Sequence, residues 1–264
     1  MTANLWMEEA RPSAPRSYKQ LELVAQALPI LQVSPATQVL DLEPGEAKSV
    51  AFWCWSSTRA DFPLAVRLDH PPPGFRAWCE RLTAAECRDL ENDSDREVKT
   101  PVQAGYRVLV EGRERTPDGL GMDLGPYKIQ VILNSGEEEA KATVTGVVRG
   151  DIRIITPGNR DKISLSTFPV ADGISKEVTL EALRPDLELG VDREKDRPVP
   201  PYLQVELKKE ERKADNGRTR WKLKVSIPPG QAEGPLPANS KVVLKTHTTP
   251  PRRFQIPITG IAYR

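Results

Sequence analysis

From about residue 30 onward, apolar and polar positions alternate in short runs. In YLQVELKK (202–209), Leu203, Val205 and Leu207 point one way and Gln204, Glu206 and Lys208 the other. In WKLKVSI (221–227), Trp221, Leu223, Val225 and Ile227 alternate with Lys222, Lys224 and Ser226. In RFQIPITGI (253–261), Phe254, Ile256 and Ile258 form the apolar set. Strict period-two alternation predicts strands with one buried and one wet face. Turn signals punctuate the runs: EPGE (43–46), TPDG (116–119), ADG (171–173), DNG (215–217) and IPPG (227–230). Residues 1–28 lack this period and hold at most a helical turn over 18–26.

The pattern repeats on a larger scale. GPYKIQVILNSGEEEAKATVTGVV (125–148) and LPANSKVVLKTHTTPPRRFQIPITGIA (236–262) are the same unit: strand, polar turn, and a strand closing on Thr145-Gly146 or Thr259-Gly260. A glycine there fits a bulge or a close backbone approach. Upstream, VLDLEPGEAKSVAFW (39–53) matches KISLSTFPVADGISKEVTL (162–180) as strand, glycine turn, strand. The chain therefore divides into a tail or remnant (1–29), one sandwich (30–150) and a second (151–264). Gly45 and Gly146 stand 101 positions apart, but Gly173 and Gly260 only 87. GFRAWCERLTAAECRDL (74–90) can supply the excess. Its Phe75, Trp78, Leu82 and Ala85 recur at helical spacing behind the break HPPPG, which predicts an inserted amphipathic helix near 74–90. The fold class is all-β, two tandem immunoglobulin-like β-sandwiches, the first with a short helical insertion.

The opening strands ILQVSPATQVLDLEPGEAKSVAFW and the closing hairpins YKIQVIL…VTGVV and KVVLKTH…FQIPITGIA resemble a bacterial family of uncharacterised, tandemly repeated immunoglobulin-like domains, related in shape to the ASH and major-sperm-protein sandwiches. The resemblance covers roughly 30–264 and its motifs specify fold rather than chemistry. It implies an extracytoplasmic setting, often behind a signal or anchor, with sandwiches concatenated. It carries over no catalytic residue. MTANLWMEEARPSAPRSYKQ has no cationic start followed by an apolar stretch, so no signal peptide is visible. The opening residues read as the tail of something larger, through either a truncated start or a missing upstream copy.

Composition narrows function more than it identifies it. The 25 prolines favour turns and sheet edges over helices. With 38 Lys+Arg against 37 Asp+Glu, no global field attracts nucleic acid or acidic membranes. KKEERK (208–213) reads as a solvated face. LELVAQALPILQV (21–33) is too short and too interrupted to span a bilayer. Three cysteines, Cys54, Cys79 and Cys87, are no disulfide framework: they read as thiols, with a Cys79–Cys87 pair the alternative. The two histidines, His70 and His247, stand in turns before prolines. With no HExxH, CxxC or GxSxG motif, neither a metal site, a cofactor nor a catalytic constellation is expected. DGLGMDLGP (118–126) lacks the Lys-Ser/Thr of a phosphate loop and reads as a turn leading into a strand.

AFWCWSS (51–57) breaks the alternation. If Phe52 and Cys54 face the core, Trp53 and Trp55 face outward, and something must cover them. The inserted helix with Trp78, or the neighbouring domain, is one cover. The other reading is an aromatic platform of Trp53, Trp55 and Trp78 for a sugar ring or a partner protein. The expected role is non-catalytic: a structural or protein-interaction module, of the cell envelope by resemblance. Three rivals accompany it: a carbohydrate- or peptide-binding module using the aromatic platform, an enzyme with a polar cleft between the domains, and recognition by strand donation. The last treats each copy's final strand as an exposed edge, blunted at the chain's end by Pro257 and Arg252-Arg253.

Overall fold

The structure, a computed structural model, describes residues 29–93, 101–159, 161–184, 187–192, 198–210 and 218–264, and the backbone of 2–8 and 18–24. The turn predicted at 215–217 and residues 211–213 of the charge run lie outside the described residues.

Strands β1 (Thr2–Glu8) and β2 (Tyr18–Val24) pair antiparallel as a separate two-stranded sheet. The helical turn expected over 18–26 is thus a strand through Val24. YKQLELV carries a period-two component that its short length hid.

The first sandwich holds β3 (Gln32–Ser34), β4 (Thr37–Val39), β5 (Ala47–Ser56), β6 (Ala65–Asp69), β7 (Phe75–Arg81), α1 (Ala84–Glu91), β8 (Ala104–Arg113), β9 (Gly125–Ser135) and β10 (Glu138–Val148). The second holds β11 (Ile152–Ile154), β12 (Ile163–Pro169), β13 (Ile174–Ala182), β14 (Leu189–Val191), β15 (Gln204–Lys209), β16 (Arg220–Ile227), β17 (Gly234–Pro235), β18 (Lys241–Thr246) and β19 (Arg253–Tyr263).

The two copies share one topology. The first stacks sheet β3-β5-β8-β7 on sheet β4-β10-β9-β6. The second stacks β11-β13-β16-β15 on β12-β19-β18-β14, with β17 added beside β19. Lettered in chain order with the first strand split into A and A′, both read A-B-E-D against A′-G-F-C, the immunoglobulin arrangement. In each copy A′ runs parallel to G: β4 along β10, and β12 along β19. The repeated Thr-Gly lies on this seam. A Cβ on Gly146 would stand 2.1 Å from the Leu40 carbonyl oxygen, and one on Gly260 would stand 3.1 Å from Leu165 Cβ. The repeated ending closes the same seam twice.

The alternating residues fill the cores as their period requires. Leu203, Trp221, Leu223, Val225, Ile227, Phe254, Ile256 and Ile258 are all buried.

Two expectations change. Residues 75–81 are strand rather than helix: Phe75, Ala77 and Cys79 alternate with Arg76, Trp78 and Glu80, and the whole stretch pairs with β8. The helix is confined to 84–91. Its start is written as Thr83-x-x-Glu86, where the Thr83 hydroxyl accepts from the Glu86 N–H (3.3 Å) and the Glu86 carboxylate accepts from the Thr83 N–H (2.8 Å). The closing strands β10 and β19 are also interior rather than edges, because A′ crosses to their far side. Arg252, expected to blunt an edge, is 7% exposed. Val147 and Val243 pair within strands that have neighbours on both sides. The strand-donation reading therefore loses the edges it required.

Candidate functional site

Residues Trp53 and Trp55 lie on β5 and Trp78 lies on β7, all projecting from the outer face of sheet β3-β5-β8-β7. Their in-line neighbours Phe52 and Cys54 are fully buried in the core. The register places Trp53 across from Arg107, and Arg107 across from Glu80. It places Trp55 across from Gly105, and Trp78 across from Leu109.

The three tryptophans share a face but not an environment. Trp55 is 4% exposed, enclosed in a satellite cluster with Leu82, Cys87 and Leu90, with Trp53 and Val102 at its margin. Helix α1 thus covers Trp55 and leaves Trp53 half-buried. Trp78 is half-buried further along the face: the Arg76 guanidinium lies 5.2 Å from its ring centroid, and its indole N–H donates to Glu80 at 3.1 Å. Arg76 in turn donates to Glu111 at 3.0 Å and pulls the Glu111 carboxyl below its usual range. The surface open to a ligand is therefore Trp53, Arg107 and Trp78, and Trp55 belongs to the helix's packing.

All three cysteines are free. Cys79 packs against the main core and Cys87 against Trp55, so the sheet separates them and the alternative pairing is ruled out. Burial pushes the Cys54 thiol up to about 12, with Cys79 adding to the shift. Burial also raises Cys79 and Cys87. These are packing thiols rather than nucleophiles. Among the described residues, no group of three or more His, Cys, Asp or Glu is placed to hold a metal ion. No helix among them is long and apolar enough to cross a membrane.

The second notable place is the junction between the sandwiches, which the sequence did not single out. Only residues 149–151 separate β10 from β11. Arg149 reaches back to Asp41 (3.2 Å) and Glu43 (2.8 Å), and forward to Asp161 (2.9 Å). Its pKa is pushed above the ordinary guanidinium value, first by the Asp161 hydrogen bonds.

On the other side, the glycine-rich stretch 118–126 docks on β19. The Leu124 N–H donates to the Arg253 carbonyl (2.7 Å), and the Gln255 N–H donates to the Leu124 carbonyl (2.9 Å), a one-residue extension of the second sandwich's sheet. Gly125 sits at φ +108°, and a Cβ there would stand 2.2 Å from the Gln255 carbonyl oxygen, so this approach requires glycine. Arg252 lies beside it. Its Nε donates to the Met122 carbonyl (2.8 Å) and its Nη2 meets Glu114, itself 2% exposed, at 2.6 Å. The glycines read as a turn thus form an interface loop. A hint lay in the sequence: three glycines within seven residues exceed what a hairpin turn needs.

A cleft opens beside this junction. Among the described residues its lining holds one carboxylate, Asp151, engaged by Arg115 at 2.8 Å, and no histidine or cysteine.

The sequence matches no family model and no curated protein. Among solved structures, similar ones include a protein of unknown function from Porphyromonas gingivalis W83 (12% identity, 88% of this chain and 99% of that one, TM-score 0.33). The titin Ig tandem domains A164-A165 match at 8% identity over 88% of this chain and 97% of that one, TM-score 0.28. An endo-fucoidan hydrolase of glycoside hydrolase family 107 matches at 12% identity over 99% of this chain, TM-score 0.26, and this chain spans 34% of its length. Likenesses this loose carry no functional argument. The class, two tandem immunoglobulin-like β-sandwiches, rests on the strand order of the chain itself.

Proposed function

We propose that this chain is a non-catalytic structural module of the cell envelope, a pair of sandwiches held at a fixed angle that presents surfaces or spaces other domains. The observation that carries the reading is the junction. A three-residue linker, a backbone pairing at Leu124 and a buried Arg252–Glu114 pair join the two halves, and the buried apolar residues of both belong to one connected cluster that includes Leu124, Ile152 and Phe254. A flexible tether would need none of these, since domains joined by small polar interfaces move by default.

The test is backbone ¹⁵N relaxation on the intact chain. A single rotational diffusion tensor is expected to fit both sandwiches. In Arg252→Ala, which leaves Glu114 buried without its closest partner at a cost of about 3 kcal/mol or more, two separable tensors are expected. Independent tumbling in the unaltered chain would overturn the reading. The envelope setting is tested separately, by fractionating source cells and locating the native protein.

A second reading, an aromatic platform for glycan or peptide, is favoured by the two half-buried rings of Trp53 and Trp78 on one sheet face around Arg107.

A further inference from the structure

The strip between Trp53 and Trp78 crosses its sheet rather than running along it. The two residues stand on β5 and β7 with β8 between them, which sets them two strand spacings apart, about 10 Å. Ala51 and Leu109 form the floor. They pair with each other, Leu109 pairs with Trp78 on its other side, and both are half-buried. Each ring is closed on its far side. The cluster under α1 lies on the Trp55 side of Trp53, and the Arg76 guanidinium lies over Trp78 from the Glu111 side. The ring surface left over on each therefore faces the strip.

Polar groups rim it. Arg107, exposed and paired across from Trp53, makes no ion pair among the described residues; its charge reaches Glu86 without a bond. Across from Arg107 on the other strand, Glu80 accepts the Trp78 indole N–H with one oxygen and keeps the other unengaged among the described residues. A donor and an acceptor thus stand side by side next to an apolar floor. Over the strip and its borders, Arg76, Arg107 and Arg113 stand against Glu80, Glu86 and Glu111, so the surface carries no net charge.

We infer that the strip binds an uncharged oligosaccharide, its rings laid across β5, β8 and β7. The inference rests on the aromatic-platform reading and chooses between that reading's two ligands. A pyranose offers apolar C–H faces to the indoles and the floor, and its hydroxyls can both accept from Arg107 and donate to Glu80. An extended peptide laid across the strands would bring its backbone N–H and C=O groups over rings and aliphatic side chains that offer no partner, which is costly. The backbone of β8 cannot answer them, because it is paired with β5 on one side and β7 on the other. A polyanion or polycation meets no net charge of opposite sign. The strip is wider than one sugar ring, so the ligand is a chain of at least two.

The experiment is a ¹H–¹⁵N titration of the intact chain with cellotetraose, mannotetraose and chitotetraose in turn, with glucose and tetragalacturonate for comparison. At least one neutral tetrasaccharide is expected to give saturable shifts at 51–53, 78–80, 107–109 and the Trp78 indole N–H, with glucose binding at least about tenfold more weakly. Arg107→Ala removes an exposed side chain with no ion pair, so it is expected to keep the unfolding midpoint and to weaken binding about tenfold, as the loss of one charge-assisted hydrogen bond does. No saturable shift with any of the three up to about 20 mM, an affinity too weak to mean recognition, would overturn the proposal. Unchanged affinity in Arg107→Ala would overturn the site. Tighter binding of tetragalacturonate than of every neutral chain would overturn the uncharged ligand, and equal binding of glucose would overturn the chain of rings. Silence from the sugars with capture of peptides on an array, lost in Arg107→Ala, would overturn this inference and keep the platform. Silence from both would overturn both. The relaxation experiment is independent of all these outcomes, since a rigid junction does not depend on what the outer face binds.

Discussion

The outer face of sheet β3-β5-β8-β7 carries Trp53, Trp55 and Trp78; its counterpart in the second sandwich, sheet β11-β13-β16-β15, carries Glu177, Glu181, Arg220 and Lys222. Both sheets have the same strand order, and both bury an apolar inner face. The second keeps its outer face with ion pairs. Lys222 meets Glu177 at 3.2 Å, and Glu181, 1% exposed, is gripped by Arg153 (2.5 Å), Arg218 (3.1 Å) and Arg220 (3.2 Å). The three guanidiniums satisfy the buried carboxylate while their side chains stay partly exposed. The first keeps ion pairs at one end of its face, Arg76 and Arg113 with Glu111, and covers the other end with a helix. Two copies of one fold thus solve one problem, the solvent face of a sheet, by charge alone in one case and by charge and cover in the other. The aromatic side is the one that leaves ring surface unburied.

The largest effect should come from uncovering. Trp55→Ala removes the ring against which Leu82, Cys87 and Leu90 pack, and a core tryptophan lost to alanine costs about 3–5 kcal/mol. Urea unfolding followed by amide exchange should show that loss in the first sandwich, with 84–91 losing protection and β16 keeping its own. A change below about 1 kcal/mol would mean that α1 does not need the ring, and the contrast between cover and charge would fail.

A smaller effect should come from the cap. Thr83→Ala removes the hydroxyl that receives the Glu86 N–H, at about 1 kcal/mol. The same joint responds to acid. Hydrogen bonds from the Thr83 N–H and hydroxyl hold the Glu86 carboxyl below its ordinary range. A carboxylate with a lowered folded pKa contributes stability that is present above the unfolded value of about 4.3 and is lost as pH falls through the folded one. Exchange at 84–91 should therefore quicken as pH is lowered through that window, once corrected for intrinsic rates, while β16 shows no matching step. Thr83→Ala keeps the N–H donor and should only weaken the response, whereas Glu86→Gln, which removes the titrating carboxyl, should flatten it. A response unchanged in Glu86→Gln would place the acid sensitivity elsewhere.

The two faces were unequally legible in the sequence. WKLKVSI states its partition outright, since every second residue is charged or polar and the burial of Trp221 follows. AFWCWSS announced a face needing cover, and the cover is there. Its extent was misread because FRAWCER satisfies both a helical spacing and a period of two, and only Thr83-x-x-Glu86 marks where the helix begins. The edges were misread for a different reason. Whether β10 or β19 is interior depends on where β4 and β12 run, over a hundred residues upstream of β10 and ninety upstream of β19, and no local pattern carries that. The junction was least legible. Arg252 reads as a surface charge next to Arg253, and its burial depends on a space left by Gly121, 131 positions away.

The smallest expected effect on stability discriminates most sharply between functions. Trp78 is half-buried, tied to Arg76 and Glu80 on its own strand. Trp78→Ala should cost less than about 1 kcal/mol, in the range of an exposed cation–π contact and its hydrogen bond. If the face serves only to keep a spacer soluble, the variant should keep every binding property of the unaltered chain. If Trp53, Arg107 and Trp78 form a platform, the variant should keep its unfolding midpoint and lose a ligand, because a flat aromatic anchor contributes more to an interface than to a fold it only half joins. A glycan and peptide array probed with both proteins reads the difference. Spots lost in Trp78→Ala at unchanged stability would establish the platform, and identical arrays would leave the outer face of the first sandwich with the same task as the second, performed with a helix beside the charges.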